Sequence, residues 1–356
     1  MESPARPSAR PAPPRLSGRQ AATAHDVAHH AGVSQSAVSR AFTAGASISA
    51  AMRARVMEAA QALGYRPNLI ARSLITRRTG MVGIAIGNLS NHIYPAMLEA
   101  LAMRLQAEGY HILLFSAPRD GNADPALEQI LRYQVDAVVL AATTVSSALA
   151  DECRDAGIPV ILFNRTSRSM DAASVTAANR QGAREIASLI AAAGHRRPAF
   201  IAGAPNTSTS QDRQTGFIEA CAAYGLPAPL IEIGSYSDAG ARRAMTALLA
   251  RPAPPDAVFC ASDQMAIAAM DVARHDHHLR VPQDISIIGF DDAPPAAWPA
   301  YALTTYALPI QPMVEATVTL ILERLADPDS PPRHLVIPGH LILRGSCRLP
   351  TAETLP

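Results

Sequence analysis

Three histidines stand close together near the start of the chain, in "HDVAHHAGVSQSAVSRAF" at residues 25–42. Clustered imidazoles suggest a metal site, and His25 and His29 lie one turn apart if the stretch is helical. The spacing argues otherwise. Asp26 is their only carboxylate neighbour, no cysteine is near, and "HDVAHH" is not the HExxH arrangement. Imidazoles facing solvent or phosphate are the better reading, and no metal is expected. A second cluster, "HDHH" at 275–278, ends a helical stretch, where it suits the negative pole of the helix.

The residues after the first cluster carry more chemistry. In a helix over 34–42, Gln35, Ser36, Ser39 and Arg40 share one face, and Ala37, Val38, Ala41 and Phe42 share the other. Gln can pair bidentately with adenine, Arg with guanine, and Ser with bases or phosphates. Enzyme chemistry has less to stand on. No GxSxG, Walker, CxxC or GxGxxG sequence is present, and Asp291-Asp292 lack a partner acid or nucleophile. Neither a catalytic residue nor a cofactor is therefore expected.

A polar face of this kind needs a support. The pattern predicts a short helix at 25–31, a break at Gly32-Val33, the 34–42 helix capped by Ser34, and a longer helix at 49–63 closed by Gly64. Val27, Ala28 and Ala31 supply the opposing apolar face. Two short helices joined through glycine, with small residues at the contact, form a helix-turn-helix. A plain helical hairpin with a solvated polar face is the alternative on the pattern alone.

Charge separates this head from the rest. Residues 1–78 carry 11 arginines against Glu2, Asp26 and Glu58, a net of +8, while residues 79–356 carry 20 arginines against 27 acids, a net of −7. A basic head on an acidic body predicts an anionic partner for the head alone. Residues 1–22, rich in Pro, Arg, Ser and Ala, read as a disordered basic tail. No apolar run is long enough to span a membrane, and the N-terminus lacks the apolar core of a secretory signal. Cys153, Cys221, Cys260 and Cys347 lie far apart and read as small buried hydrophobes in a reducing cytoplasm.

From Met81 apolar runs alternate with amphipathic stretches: "MVGIAIG", "HILLFS", "DAVVLAA" and "PVILFNR", then "RPAFIAG", "DAVFCAS" and "ISIIGF". Continuous apolar strands with helical crossovers indicate parallel sheets covered on both faces. Aromatics make up only 4% of the chain, which suits such an α/β core better than a β-sandwich. The fold class is thus an N-terminal all-α helix-turn-helix domain plus an α/β core of two doubly wound parallel-sheet subdomains. A ligand site belongs in the cleft outside the carboxyl ends of the strands.

At this point a resemblance is plain. "AHDVAHHAGVSQSAVSR" followed by "VMEAAQALGYRPNLIARSL" resembles the LacI/GalR family of transcriptional regulators, with the GVS, VSR, LGYRPN and ARSL elements in order. The likeness continues through "SNHIYPAMLEAL", "AGHRRPAFIAG", "RQTGF", "ASDQMA", "VPQDISIIGFDD" and "LTTY", over residues 23–348. It implies a cytoplasmic repressor that binds a near-palindromic operator in double-stranded DNA as a homodimer. The implied core is like the periplasmic sugar-binding proteins, with a small polar effector (a sugar, sugar acid or related metabolite) in its cleft. The domains expected are a DNA-binding domain at 23–66, a hinge and linker at 67–80, a core at 81–346 and a tail at 347–356. The core is expected as one subdomain of 81–163 with 292–325 and another of 164–291 with 326–346.

Matched positions supply the site residues. Leu74 corresponds to the family leucine that wedges into the minor groove, and Ala71 allows close approach there. Arg213, Thr209, Asp291, Tyr236 and Tyr94 match family effector contacts, and Asn164 and Ser262 stand where Asp and Asn are usual. Thr43, Ala37 and Leu308 depart from the family's Asn, Thr and Gln. The stretch "MLEALAMRL" is the expected dimer contact. The C-terminal "RLPTAETLP" has no leucine heptad, so no coiled-coil tetramer is expected.

Overall fold

The computed structural model describes residues 22–43, 45–66, 78–117, 123–141, 146–167 and 172–350. The chain divides into two compact units, Met1–Arg77 and Arg78–Pro356.

The first unit packs α1 (Ala24–Ala31), α2 (Gln35–Ala41) and α3 (Ala50–Leu63) around Val27, Ala28, Ala31, Val38, Ala41, Val56, Ala59 and Ala60. Mostly alanine and valine, this core lets short helices approach closely. Each start is fixed by a side-chain cap. Thr23 and Asp26 form a reciprocal capping box on α1, Ser34 Oγ accepts from the Ala37 N–H at 3.2 Å, and Ser49 Oγ accepts from the Met52 N–H at 3.3 Å. Asp26 is thereby occupied: its Oδ2 accepts from both the backbone N–H and the hydroxyl of Thr23 at 2.8 Å. Gly32, at φ 59°, makes the left-handed turn between α1 and α2.

The second unit holds two sheets. The first joins β1 (Met81–Ile86), β2 (His111–Ser116), β3 (Ala137–Ala141), β4 (Val160–Phe163), β5 (Ala173–Ala177) and β11 (His334–Ile337) in the order β11-β5-β4-β3-β1-β2, all parallel. The second joins β6 (Pro198–Ala202), β7 (Leu230–Ile233), β8 (Ala257–Cys260), β9 (Ser286–Asp291), β10 (Thr304–Ala307) and β12 (His340–Ile342) in the order β12-β10-β9-β8-β6-β7. Only β12 runs antiparallel in it. Both sheets place the reversal of winding beside their first strand, β1 or β6, and that places a crevice at the strands' carboxyl ends.

Eight helices cover the sheets among the described residues: α4 (Ile93–Ala107), α5 (Asp124–Arg132), α6 (Ser147–Asp155), α7 (Asn179–Ala192), α8 (Ser208–Ala223), α9 (Asp238–Leu249), α10 (Asp263–Asp271) and α11 (Ile310–Ala326). None is long and apolar enough to cross a membrane. All four cysteines are buried and free.

The chain crosses between lobes three times, each later than the sequence suggests. It passes after β5 rather than at 163/164, after β10 rather than at 291/292, and after β11 rather than at 325/326. The reason is compositional. β5 (ASVTA) and β10 (TTYA) bury Ser174, Thr176, Thr304 and Thr305, so neither reads as an apolar strand. Long-range bonds satisfy three of these hydroxyls: Ser174 with His334 Nδ1 at 2.9 Å, Thr304 with the Arg344 carbonyl at 3.2 Å, and Thr305 with Asp263 at 2.6 Å.

Beneath the second sheet, His195 is fully buried. Its Nε2 meets Ser286 Oγ at 2.8 Å and its Nδ1 meets Arg348 at 2.7 Å, with Asp256 3.5 Å away. Ser, His and Asp thus fall in the order of a hydrolytic triad, but the serine and histidine are sealed from solvent and tie down the C-terminal segment. Burial, assisted by Arg348, lowers the imidazole to about 4. The fold therefore holds it neutral. Its contribution is complete above the unfolded value of about 6.5 and is lost as pH falls from there towards 4. At about 1.4 kcal/mol per pKa unit this is on the order of 3 kcal/mol. Buried Asp263 and Asp291, both raised, act in the opposite sense. The comparison is therefore between wild type and His195→Gln. Thermal melts from pH 4 to 7 are expected to show a weaker acid loss in the variant, and parallel curves would remove His195 from the account.

Candidate functional sites

In the first unit, α2 buries Ala37, Val38 and Ala41 and leaves Gln35, Ser36, Ser39 and Arg40 exposed, as its periodicity predicts. Ser36 Oγ lies 2.9 Å from the capping Ser34 Oγ, so its hydroxyl is held in the first turn. Thr43 donates to the Ser39 carbonyl at 2.9 Å. A contact that sequence reasoning missed fixes the other end: Arg53 of α3 donates to the Ala41 carbonyl at 2.5 Å, at the negative pole of α2. His25, His29 and His30 are exposed on α1. Among the described residues no three His, Cys, Asp or Glu side chains gather as a metal would need. Ala71 and Leu74 lie outside the described residues.

In the second unit, a cavity of about 510 Å³ opens between the lobes at the strand ends. Six residues that the sequence nominated line it: Tyr94, Asn164, Thr209, Arg213, Tyr236 and Asp291. Each is delivered by the end of a strand or the start of a helix. Tyr94 sits in the first turn of α4, Asn164 follows β4, Thr209 and Arg213 lie on α8, Tyr236 follows β7, and Asp291 ends β9.

Arg213 is the organising side chain, although only 2% of it is exposed. Its Nε donates to Asn179 Oδ1 at 2.8 Å, and its Nη1 donates to the Ala261 carbonyl at 2.5 Å and Asp291 Oδ1 at 3.4 Å. The guanidinium also lies 3.6 Å from the centroid of the Phe290 ring. Burial pushes Asp291 upward, while Arg213 and a hydrogen bond from Asn91 pull it back towards the ionised form.

The backbone here is unusual. Asp291 has φ 127° and Asp292 φ 55°, a turn held by buried Asp263, which accepts from the Ala293 N–H at 2.7 Å and from Thr305 at 2.6 Å. Tyr236, at φ 53°, lays its ring on Gly203, where a Cβ would come 2.2 Å from the ring. Its hydroxyl meets Thr209 Oγ1 at 3.0 Å. Tyr94 is buried, which pushes its phenol up to about 12, so it serves as a neutral hydroxyl.

The lobes are tied across the cleft. Asn88 Nδ2 donates to the Tyr236 carbonyl at 3.4 Å, the Thr166 N–H donates to Ser208 Oγ at 3.0 Å, and Asn91 bonds Asp291. Ser262 departs from expectation. It is fully buried outside the cavity lining, and its Oγ accepts from the Met265 N–H at 3.3 Å as the cap of α10. Gln264, two residues on and inside that helix, lines the cavity instead. Leu308 is also buried and lies outside the lining. Sequence reasoning missed Asn88, Asn91, Arg165 and Gln264 as lining residues. Their signal was position alone: polar residues just beyond β1, β4 and β8.

Comparison with known proteins agrees in both units. The profile described as "Bacterial regulatory proteins, lacI family" matches residues 23–68, and a "Periplasmic binding protein-like domain" matches residues 187–347. The HTH-type transcriptional regulator AscG of Escherichia coli (strain K12) is 32% identical over 333 residues, 92% of this chain and 98% of that protein. The HTH-type transcriptional regulator GalR of Salmonella typhimurium (strain LT2) is 32% identical over 335 residues, 93% of this chain and 97% of that protein. Among solved structures, the lac repressor dimer bound to operator and the anti-inducer ONPF shares the fold, with TM-score 0.82, 24% identity and coverage of 92% of this chain and 99% of that one. A complex of the transcriptional regulator CelR with cellobiose gives TM-score 0.68 at 29% identity, covering 91% of this chain and 99% of that one.

Proposed function

Because the chain belongs to the LacI family of bacterial regulatory proteins, DNA-binding transcriptional regulators rather than enzymes, we propose that it is a repressor. It acts in the cytoplasm as a homodimer on a near-palindromic operator, and a small polar effector in the inter-lobe cleft controls it. The observation that carries this reading is the pairing of two sites in one chain. One is a capped helix exposing Gln35, Ser36, Ser39 and Arg40, and the other is a polar cavity reached from both lobes. Two heads held at fixed spacing read two half-sites, which is why a palindrome is expected. Met103 on α4 supports the dimer: it is 67% exposed, the most of any large apolar side chain among the described residues, while Met97, Leu101 and Leu105 face the core. Ala71 and Leu74 complete the proposal as the hinge that enters the minor groove.

Selection of bound duplexes from a random pool tests the DNA half. The enriched sequences should be palindromic, and affinity should fall steeply with salt as counterions are released. Arg40→Ala is expected to weaken the selected site by about 1–3 kcal/mol and to relax preference at one base pair per half-site. Equal weakening on all sequences would make Arg40 a phosphate contact. No effect at all would remove it from the interface.

A further inference from the structure

The chain enters the two-lobed core through a short stretch that is held from three sides. Asp136, immediately before β3, makes most of the contacts. Its Oδ1 accepts from the Thr79 N–H at 2.9 Å and the Thr79 hydroxyl at 3.1 Å, and its Oδ2 accepts from the Gly80 N–H at 2.8 Å. The Asp136 N–H donates in return to the Met81 carbonyl at 2.8 Å. The Gly80 carbonyl accepts from the N–H of His111, the first residue of β2, at 2.7 Å. Arg78 donates to the Leu325 carbonyl at 3.4 Å, in the last turn of α11. Gly80 turns the backbone between these partners at φ 68°, a conformation that favours glycine.

The first sheet does not need these side-chain bonds. The register of β1 with β2 and β3 is carried by residues 81–86. What the carboxylate fixes is the point at which the chain leaves the core, since residues 67–77 join that point to the head in the sequence. A carboxylate only accepts, and its charged bonds are stronger than neutral ones, so a single half-buried side chain holds two consecutive residues. All the partners lie on one lobe. β2 and β3 are strands of the first sheet, and α11 is paired to α4 of that lobe through Glu315 and Arg104 at 2.7 Å.

We propose that Asp136 is a positioning residue for operator recognition. By clamping Thr79 and Gly80 to the first lobe, it fixes where each link to a head begins, and so which half-site spacing a dimer accepts. The inference rests on the chain binding DNA as a two-headed dimer. Lengths decide whether the clamp matters. Once released, residues 78–80 add about 3.3–3.6 Å each to the link, on the order of 10 Å per subunit. One base pair displaces a half-site by only about 3.4 Å and turns it by about a tenth of a helical turn. A released link therefore absorbs a change of spacing that a clamped one does not, at the cost of a lower effective concentration of the second head.

The full-length protein is to be titrated with three duplexes: the selected palindrome, the same duplex with one base pair inserted at its centre, and a single half-site. Wild type should bind the inserted duplex about tenfold or more weakly than the palindrome. Asp136→Ala should narrow that gap to about threefold or less, bind the palindrome several-fold more weakly than wild type, and bind the half-site as wild type does. Asp136→Asn keeps an oxygen for Thr79 but turns an amide nitrogen towards the Gly80 N–H. It should fall between the two, and it decides the question if the alanine variant does not fold. A wild-type spacing penalty in a folded variant overturns the clamp. Equal losses on palindrome and half-site also overturn it, since they mark general damage to the protein. Wild type that binds both spacings alike overturns the two-headed reading itself, and the role of Asp136 with it.

Discussion

Arg213→Met is expected to lower the thermal midpoint of the two-lobed core by roughly 10 °C, at 2–4 °C for each kcal/mol in a unit of this size. Removing one member of a buried ion pair destabilises by about 3–5 kcal/mol, because the other charge stays buried without compensation. Here the loss extends further. Asn179 Oδ1 and the Ala261 carbonyl lose their donor as well, and the Phe290 ring loses the cation on its face. Methionine fills much of the vacated volume, so the effect reports charge and hydrogen bonding more than a cavity. The double variant Arg213→Met/Asp291→Asn should recover part of the loss, since it removes the orphaned charge. A fall of less than about 2 °C in scanning calorimetry would show that the pair does not hold the lobe together.

Asp291→Asn tests ligand recognition at some cost in stability, since it leaves the buried Arg213 guanidinium without its carboxylate. The residue sits at φ 127°, where asparagine is better tolerated than alanine, and the amide preserves the shape of the carboxylate. The charge offered to a ligand hydroxyl is lost together with the charge that faces Arg213. Hydrogen bonds to charged groups are worth about 1.5–3 kcal/mol, so effector affinity should fall roughly 10- to 100-fold. DNA affinity without effector should stay near wild type, because the head is a separate compact unit.

The parts of this protein that could be read from its sequence share a local cause. The face of α2 was legible because its helix is short, serine-capped and strictly amphipathic, all within nine residues (34–42). The lobe boundaries were not legible, since β5 and β10 bury hydroxyl residues whose partners, such as Asp263 and His334, are distant in sequence. The cleft followed from the predicted parallel-sheet topology, whereas its lining residues were nominated through family resemblance. At "ASDQMA" resemblance nominated the wrong neighbour: which of two polar residues faces the cavity depends on whether Ser262 is spent as a helix cap. Arg53, which anchors the end of α2, lies 12 positions from the carbonyl it holds, a separation that no periodicity encodes.

The central claim is that occupancy of the cleft sets DNA affinity at the head. Its most direct test is operator affinity of the full-length protein, using the selected palindrome, with and without the sugar or sugar acid that binds the core most tightly by calorimetry. Wild type should change 5- to 150-fold on saturation, a coupling of about 1–3 kcal/mol. Asp291→Asn, at sugar concentrations that saturate wild type but not the variant, should show little change while retaining wild-type affinity in the absence of sugar. A sugar that saturates the wild-type cleft and leaves operator affinity unmoved would contradict the account, as would an undiminished response in Asp291→Asn.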